Sequence, residues 1–431
     1  MKLTRGKILV GLTVLALLIV PELALTQGPG GQGRVLNVRL RQVYADISTA
    51  LADPNIQSGD RLLIAGAITE TGDIDISGGG NVPGPITIVS QSRLAFVARV
   101  TVSTCTNGVV DLRNRAGAVT WIGGIITVPD GCAGFFDDGT GTGAGNPVTI
   151  QGVTIQGESP TTSGISGIVL QDQGAPGGPF RILSNRITGE FNAGIELDGT
   201  DTSINVTIRG NRITNTGDAG GTCTGIQVTD TTGSVVVERN RVDGGDSAGA
   251  LTCTGAGIVV EEGNNPSTPG VEDVTIQRNT VVNYGAATGI LIDDSSNVVV
   301  KSNVIRDNDT GLAVDPTTCS TTPFPLINNN NITGSTTLAL DFGTCGYDLD
   351  ATNNWWGANT GPADAEGDAS CGSPTPPTST NCNTAAGAGG DINAAAKAIG
   401  TPDCCGGGAC NNSGFVKTCP FKLFAIFGIG A

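Results

Sequence analysis

From about residue 180 to residue 356 one phrase of apolar and polar positions recurs: a β-branched residue, two residues, Asn, one residue, then Ile or Val. It reads Ile182–Asn185–Ile187, Ile208–Asn211–Ile213, Val237–Asn240–Val242, Ile276–Asn279–Val281, Val300–Asn303–Ile305 and Ile327–Asn330–Ile332. The Asn residues are 26, 29, 39, 24 and 27 positions apart, and Asn354 follows 24 later. A second phrase, Gly followed by Ile or Leu, is interleaved at Gly167, Gly194, Gly225, Gly257, Gly289 and Gly311. Such self-similarity marks a stacked repeat, in which each unit buries its apolar face only against its neighbours.

Each repeat holds three short alternating strands and no helix-period run. That pattern predicts an all-β fold: a single-stranded right-handed parallel β-helix, the hand following from that of parallel crossovers. In one repeat Val206 and Ile208 point inward, Asn211 takes the corner, Ile213 points inward, and Ile226 and Val228 line the next side. Residues 60–362 then wind about 11–12 coils, a rod ~50–55 Å long at ~4.8 Å per coil. Ahead of the stack the pattern predicts a strand Val35–Leu40 and a short helical cap Val43–Leu51. A turn at Ser58-Gly59-Asp60 leads into a strand Arg61–Ala65. The corner Asn column reads as structural, because Asn tolerates left-handed backbone and its amide can bond to neighbouring coils.

The stack ends at Asn353-Asn354-Trp355-Trp356-Gly357, followed by Gly361-Pro362. Trp356 stands two residues after Asn354, where earlier repeats place Ile or Val, so its ring is expected to cover the last layer. These residues, with Asp46–Ala50 and Ser58-Gly59-Asp60-Arg61-Leu62-Leu63-Ile64, resemble the pectin-lyase-like right-handed β-helix superfamily. Within it they are similar to the exported repeat proteins that end in Asn-Asn-Trp-Trp-Gly. The resemblance spans roughly residues 35–362 and implies the fold. It leaves activity open, since the superfamily includes lyases, hydrolases, epimerases and non-catalytic surface proteins.

Composition adds the compartment. Lys2, Arg5 and Lys7 precede an apolar run Ile8–Val20, so residues 1–26 read as a secretory signal, the run being too short to span a bilayer comfortably. Residues 27–59 form the N-terminal segment and cap, 363–403 an Ala/Gly/Pro/Ser/Thr-rich linker, and 404–431 a Cys-rich tail ending in an apolar stretch. Removing Lys2, Arg5, Lys7 and Glu22 takes the formal charge from −16 to −18. A nucleic-acid partner is disfavoured by that balance. The 12 cysteines of an exported chain point to disulfides. Cys105 and Cys132 are 27 apart, Cys223 and Cys253 are 30 apart, and Cys319 and Cys345 are 26 apart, each about one repeat. These three pairs are expected to staple adjacent coils, because stacked strands lie within disulfide reach. Cys371, Cys382, Cys404, Cys405, Cys410 and Cys419 form a separate cluster with no assigned pairing, where export and the absence of His favour disulfides over zinc.

Candidate chemistry emerges when the Gly-Ile strands are put in register. Four residues after each Gly stand Gln171, Asp198, Thr229, Glu261, Asp293 and Asp315, with Asp172, Asp230, Glu262 and Asp294 directly after four of them. Since Ile195 and Leu197 face inward, Asp198 and its counterparts are expected to face out as an acidic stripe. Stacked like charges destabilise a sheet. Solvent, a bound proton or Ca²⁺ would relieve them. Asp198, Asp230, Glu261, Glu262, Asp293, Asp294 and Asp315 are thus the candidates for cation or glycan contact. Glu261, Asp293 and Asp294 are the candidates for acid–base catalysis. Loops 214–224 and 243–256 are long enough to wall a groove beside them. A second column, Arg186, Arg212 and Arg241, follows the corner Asn and suits an anionic polysaccharide, or pairs with acidic loop residues such as Asp218, Asp243 or Asp246.

Absences narrow the classes. The chain has no His and one Met, which removes His-based triads and metal sites and disfavours copper or any other transition metal. Asp315-Pro316 resembles the start of an epimerase-type motif, but Thr317 and Thr318 stand where His and Glu would follow. Asp293-Asp294 resembles the hydrolase branch, without its Gly-His-Gly. A lyase that takes Arg or Lys as its base survives this filter, with Arg278 and Lys301 as candidates. The sequence therefore favours a secreted or cell-surface β-helix protein that contacts polysaccharide without catalysis and needs no cofactor beyond Ca²⁺. A cation-assisted polysaccharide lyase or glycoside hydrolase is the alternative, and a structural spacer or adhesin the third.

Overall fold

In the computed structural model the described residues are 33–90, 98–139, 146–157, 166–171, 178–198, 205–215, 223–230, 233–245, 255–261, 273–295, 297–315, 325–342, 349–351 and 353–357, with short strands at 363–364, 384–387 and 392–393. Their strands form a parallel β-helix whose coils each place one strand in a first, a second and a third sheet, of 12, 10 and 12 strands. Each strand pairs with the strand one coil away, as in Val206–Arg209 against Val235–Glu238 and Arg212–Asn215 against Arg241–Asp243. Among the described residues the second sheet counts ten coils, fewer than the 11–12 expected. Long inter-strand loops consume the difference, as in the 39-residue step from Asn240 to Asn279.

The alternation read from sequence is the burial pattern. Val206 and Ile208, Ile213, then Ile226 and Val228 are all buried. Their columns run through the stack in register, for example Ile150, Ile182, Ile208, Val237, Ile276, Val300 and Ile327. The Gly column has a separate cause: it opens the third-sheet strands where they pass closest to the second sheet. A Cβ on Gly225 would lie 2.1 Å from Val242 Cγ1 and 2.5 Å from the Gly257 carbonyl oxygen, so no side chain fits there.

The Asn column is a continuous buried ladder. Asn211 donates its backbone N–H (2.9 Å) and Nδ2 (3.0 Å) to Asn240 Oδ1, and Nδ2 also donates to the Ile182 carbonyl at 2.9 Å. The same set links Asn185, Asn240, Asn279, Asn303, Asn330 and Asn354 to their neighbours. Left-handed backbone is not the Asn's own: it belongs to the preceding residue, as at Ser184 (φ 54°), Arg239 (φ 56°) and Arg278 (φ 58°). The Asn is therefore held by its amide, and the corner is turned one residue earlier.

At the N-terminal end Arg34–Asn37 pairs antiparallel with both Gln42–Tyr44 and Asp60–Ala65. Val43 and Tyr44 thus belong to a strand, and the cap helix is shorter than expected, Ile47–Leu51. Asp46 fixes its start by accepting from Thr49 N–H at 2.6 Å, and Glu70 accepts from Ile47 N–H at 2.6 Å. Ile47, Ala50 and Leu51 then plug the open end of the core. At the other end Trp356 is fully buried beyond the last ladder Asn, as its position in the repeat implied. Strands Ala363–Asp364 and Thr384–Gly387 extend the third sheet into part of the segment expected as a linker. The disulfide Cys105–Cys132 joins successive coils with its Cα atoms 6.2 Å apart. Cys223 is disulfide-bonded, while Cys253, Cys319, Cys345 and the six C-terminal cysteines lie outside the described residues. So do the expected signal segment, residues 1–26, and the tail, 404–431. No helix of the described residues is long and apolar enough to cross a membrane.

Candidate functional site on the third sheet

Strands of the third sheet follow the burial order of Thr224–Thr229, in which Gln227 and Thr229 reach toward solvent while Ile226 and Val228 are inside. Two outward columns result. One is the column read from sequence, and its register is as expected: Gln171, Asp198, Thr229, Glu261, Asp293 and Asp315 are Cα partners in succession. The other, two residues earlier, holds Val169, Glu196, Gln227, Val259, Leu291 and Ala313. Sequence reasoning passed over it, although counting two residues on from each Gly finds it.

Together the columns shift the polar centre toward the N-terminal side of the Glu261/Asp293 pairing. Beside Asp293 and Asp315 the inner column is apolar, with Leu291 and Ala313. Beside Asp198 and Thr229 it is polar, with Glu196 and Gln227. Glu261 Oε1 accepts from Gln227 Nε2 at 2.6 Å and from Thr229 Oγ1 at 3.2 Å. Ser166 Oγ donates to Glu196 Oε2 at 2.5 Å. Asp198 receives none of these donors, and its Oδ1 is buried without a hydrogen-bond partner among the described residues. Burial, then the charges of Asp230, Glu196 and Glu261, push its pKa up to about 6.

Asp230 (φ 50°) and Asp294 (φ 45°) occupy the left-handed turn that closes their strands, which gives both a conformational role. Glu262, Asp172 and the side chain of Asp315 lie outside the described residues, as do the loop tips 216–222 and 246–254 expected to wall the groove. No group of three or more carboxylates among the described residues is gathered closely enough to hold a metal ion. Arg278 stands in the turn between the first and second sheets and Lys301 on the first. Neither shares the third sheet with the carboxylates, so the constellation a lyase would need is not brought together. Arg186, Arg212 and Arg241 are stacked in register on the second sheet. Arg241 pairs with Asp243 at 2.8 Å, and Asp218 and Asp246 lie outside the described residues.

The geometry defines a parallel β-helix protein with a solvent-facing band of carboxylate, amide and hydroxyl groups on one sheet. Residues 136–332 match the family model described as "Periplasmic copper-binding protein (NosD)". Seven strands of the first sheet fall in that span. Comparison with the curated proteins gives no match. Among solved structures, the A-module of the Azotobacter vinelandii mannuronan C-5 epimerase AlgE4 is similar at 15% identity and a TM-score of 0.43, over 83% of this chain and 94% of that one. The A-module of the Azotobacter vinelandii mannuronan C-5 epimerase AlgE6 is similar at 14% identity and a TM-score of 0.39, over 78% of this chain and 76% of that one. Neither likeness bears on the chemistry of this chain.

Proposed function

We propose that the chain is an exported, non-catalytic β-helix rod that binds a hydroxyl-rich polysaccharide along the outward face of its third sheet. One observation carries the reading: Glu196, Asp198, Gln227, Thr229 and Glu261 form two adjoining, in-register columns of acceptors and donors on consecutive coils. Carboxylates accept sugar hydroxyls and amides both accept and donate, so a glycan lying along the rod meets a repeated set of partners. Export rests on the Lys/Arg-then-apolar start of the chain and is supported by the periplasmic description of the matched family.

Copper, which that description names, finds no set of ligands among the described residues. Copper is held by imidazole, thioether or thiolate. The chain has no His, its one Met is Met1, and Cys105, Cys132 and Cys223 are in disulfides.

The second reading, a polysaccharide-cleaving enzyme, is favoured by Asp198. A carboxyl with a pKa of about 6, two coils from a hydrogen-bonded Glu261 on the same column, has the character of a general acid. The test is incubation of the mature chain with neutral and uronate polysaccharides, with Ca²⁺ or chelator, following both retention and chain shortening. Retention of a neutral glycan without shortening, lost in Asp198→Asn/Glu261→Gln, is the expected result. Shortening that disappears in the same variant replaces binding with catalysis, and no retention of any glycan overturns both.

A further inference from the structure

Basic charge in the regular stack is confined to two of the three faces. Between residues 140 and 362 the chain has nine Lys and Arg residues: Arg181, Arg186, Arg209, Arg212, Arg239, Arg241, Arg278, Lys301 and Arg306. All nine lie on strands of the first and second sheets or in the turn that joins them at the Asn ladder. The third-sheet strands from Ala133–Asp138 to Leu338–Phe342 carry none.

Three features show that this basic edge is more than a solvated surface. First, Arg186, Arg212 and Arg241 are direct Cα partners on successive coils. Like charges set opposite one another in a sheet destabilise it, so the stack calls for anions. Secondly, only part of that need is met among the described residues. Arg241 has Asp243 at 2.8 Å and Arg209 has Glu238 at 3.6 Å, whereas the exposed Arg186 and Arg212 have no carboxylate partner there. Thirdly, Arg239 and Arg278 stand in left-handed corner positions, which Gly or Asn occupies at lower cost.

We infer that the Asn-ladder edge, through Arg186, Arg212, Arg239 and Arg241, is a binding track for a linear anionic polysaccharide bearing a carboxylate on each sugar. Arg186, Arg212 and Arg241 set one guanidinium per coil, ~4.8 Å apart, with Arg239 beside the last of them, and offer bidentate bonds to carboxylates presented in a row. A nucleic acid fits less well. The protein is acidic overall at −16, and no aromatic side chain among the described residues is exposed for bases to stack on. The track is on a different face from Asp198 and Glu261 and stands independently of the third-sheet reading.

The experiment is binding of the full mature chain to a soluble polyuronate across a NaCl series. It compares the wild type with Arg186→Gln/Arg212→Gln and with Asp198→Asn/Glu261→Gln, and uses duplex DNA and anionic phospholipid vesicles as rival polyanions. Both arginines are exposed, so the first variant keeps its fold, checked by its circular dichroism. The expected result is at least a tenfold weaker affinity in the arginine variant, with a salt slope lower by about two, and no comparable loss in the carboxylate variant. Equal polyuronate affinity in the arginine variant overturns the track, as does absence of binding by the wild type. Loss confined to the carboxylate variant moves the uronate to the third sheet. Tighter binding to DNA or to vesicles assigns the edge to that partner instead.

Discussion

Asp198 and Glu261 occupy the same outward register position two coils apart, with Thr229 between them, yet among the described residues only Glu261 is supplied with donors. Gln227 and Thr229 both turn toward Glu261. Asp198 is left half-buried, its Oδ1 without a partner among the described residues, amid the charges of Asp230, Glu196 and Glu261.

That imbalance fixes a pH dependence. The pKa of Asp198 rises from 3.8 to about 6 on folding, so between those values the folded chain binds the proton more tightly than the unfolded chain does. Its contribution to stability is therefore greatest below pH ~4 and is lost as pH rises through ~6. Asp198→Asn should raise stability at pH 7.5 by about 1–2 kcal/mol, after a discount for solvent screening, and leave it nearly unchanged at pH 4. Urea titrations at the two pH values check this; a gain that is the same at both would refute the account.

The ladder predicts a larger and opposite effect. Asn240→Ala removes the acceptor of Asn211 N–H and Nδ2 and the donor to the Ile208 carbonyl, all in a site closed to water. Unsatisfied buried groups of this kind cost about 1–3 kcal/mol each, so a loss of about 3–5 kcal/mol is expected. Because coils contact only their neighbours, hydrogen exchange should rise around residues 182–281 and stay slow near the N-terminal cap. Uniform acceleration along the rod would contradict that locality.

These two sites also show what the sequence could reveal. The inward columns and the Asn ladder were readable because the strict alternation and the Gly and Asn positions repeat in every coil, whatever the loops between them do. Trp356 was placed by the same counting. The left-handed corner was assigned to Asn rather than to Ser184, Arg239 or Arg278, because residue preference favours Asn there and only the backbone separates adjacent positions. Val43 and Tyr44 read as the start of the cap helix because their apolar spacing fits both periods, and the antiparallel pairing with Arg34–Asn37 decides for strand. The hydrogen bonds of Ser166 and Gln227 connect residues 30 and 34 positions away, across loops of unequal length. No local pattern encodes these bonds.

Cys105 and Cys132 close a 27-residue interval between stacked coils. A cross-link of that span restricts the unfolded chain by about 3–4 kcal/mol. The Cys105→Ser/Cys132→Ser variant should lose roughly that amount in chemical denaturation under non-reducing conditions. A fully native midpoint in the variant would mean that the reduced coils already hold their spacing in the unfolded ensemble.

A buried ion pair gives the most selective test of the core. The guanidinium of Arg115, 1% exposed, bonds Asp137, the Leu112 carbonyl at 2.9 Å and the Asn146 carbonyl at 3.1 Å, and lies 5.8 Å over the Phe180 ring. Burial raises the pKa of Asp137, and Arg115 is the main influence pulling it back. Arg115→Met leaves that carboxylate uncompensated, at a cost of about 3–5 kcal/mol. The single variant raises the folded pKa of Asp137 further. Its deficit should thus be largest at neutral pH and shrink as the pH falls and Asp137 takes up a proton. Arg115→Met/Asp137→Leu removes both charges and should recover most of the loss at pH 7, since an apolar pair of similar volume can match a buried ion pair. Measured as a double-mutant cycle at pH 7 and pH 5, a coupling of several kcal/mol that weakens at the lower pH is expected. A double variant no more stable than Arg115→Met would instead place the cost in the lost bonds to the Leu112 and Asn146 carbonyls.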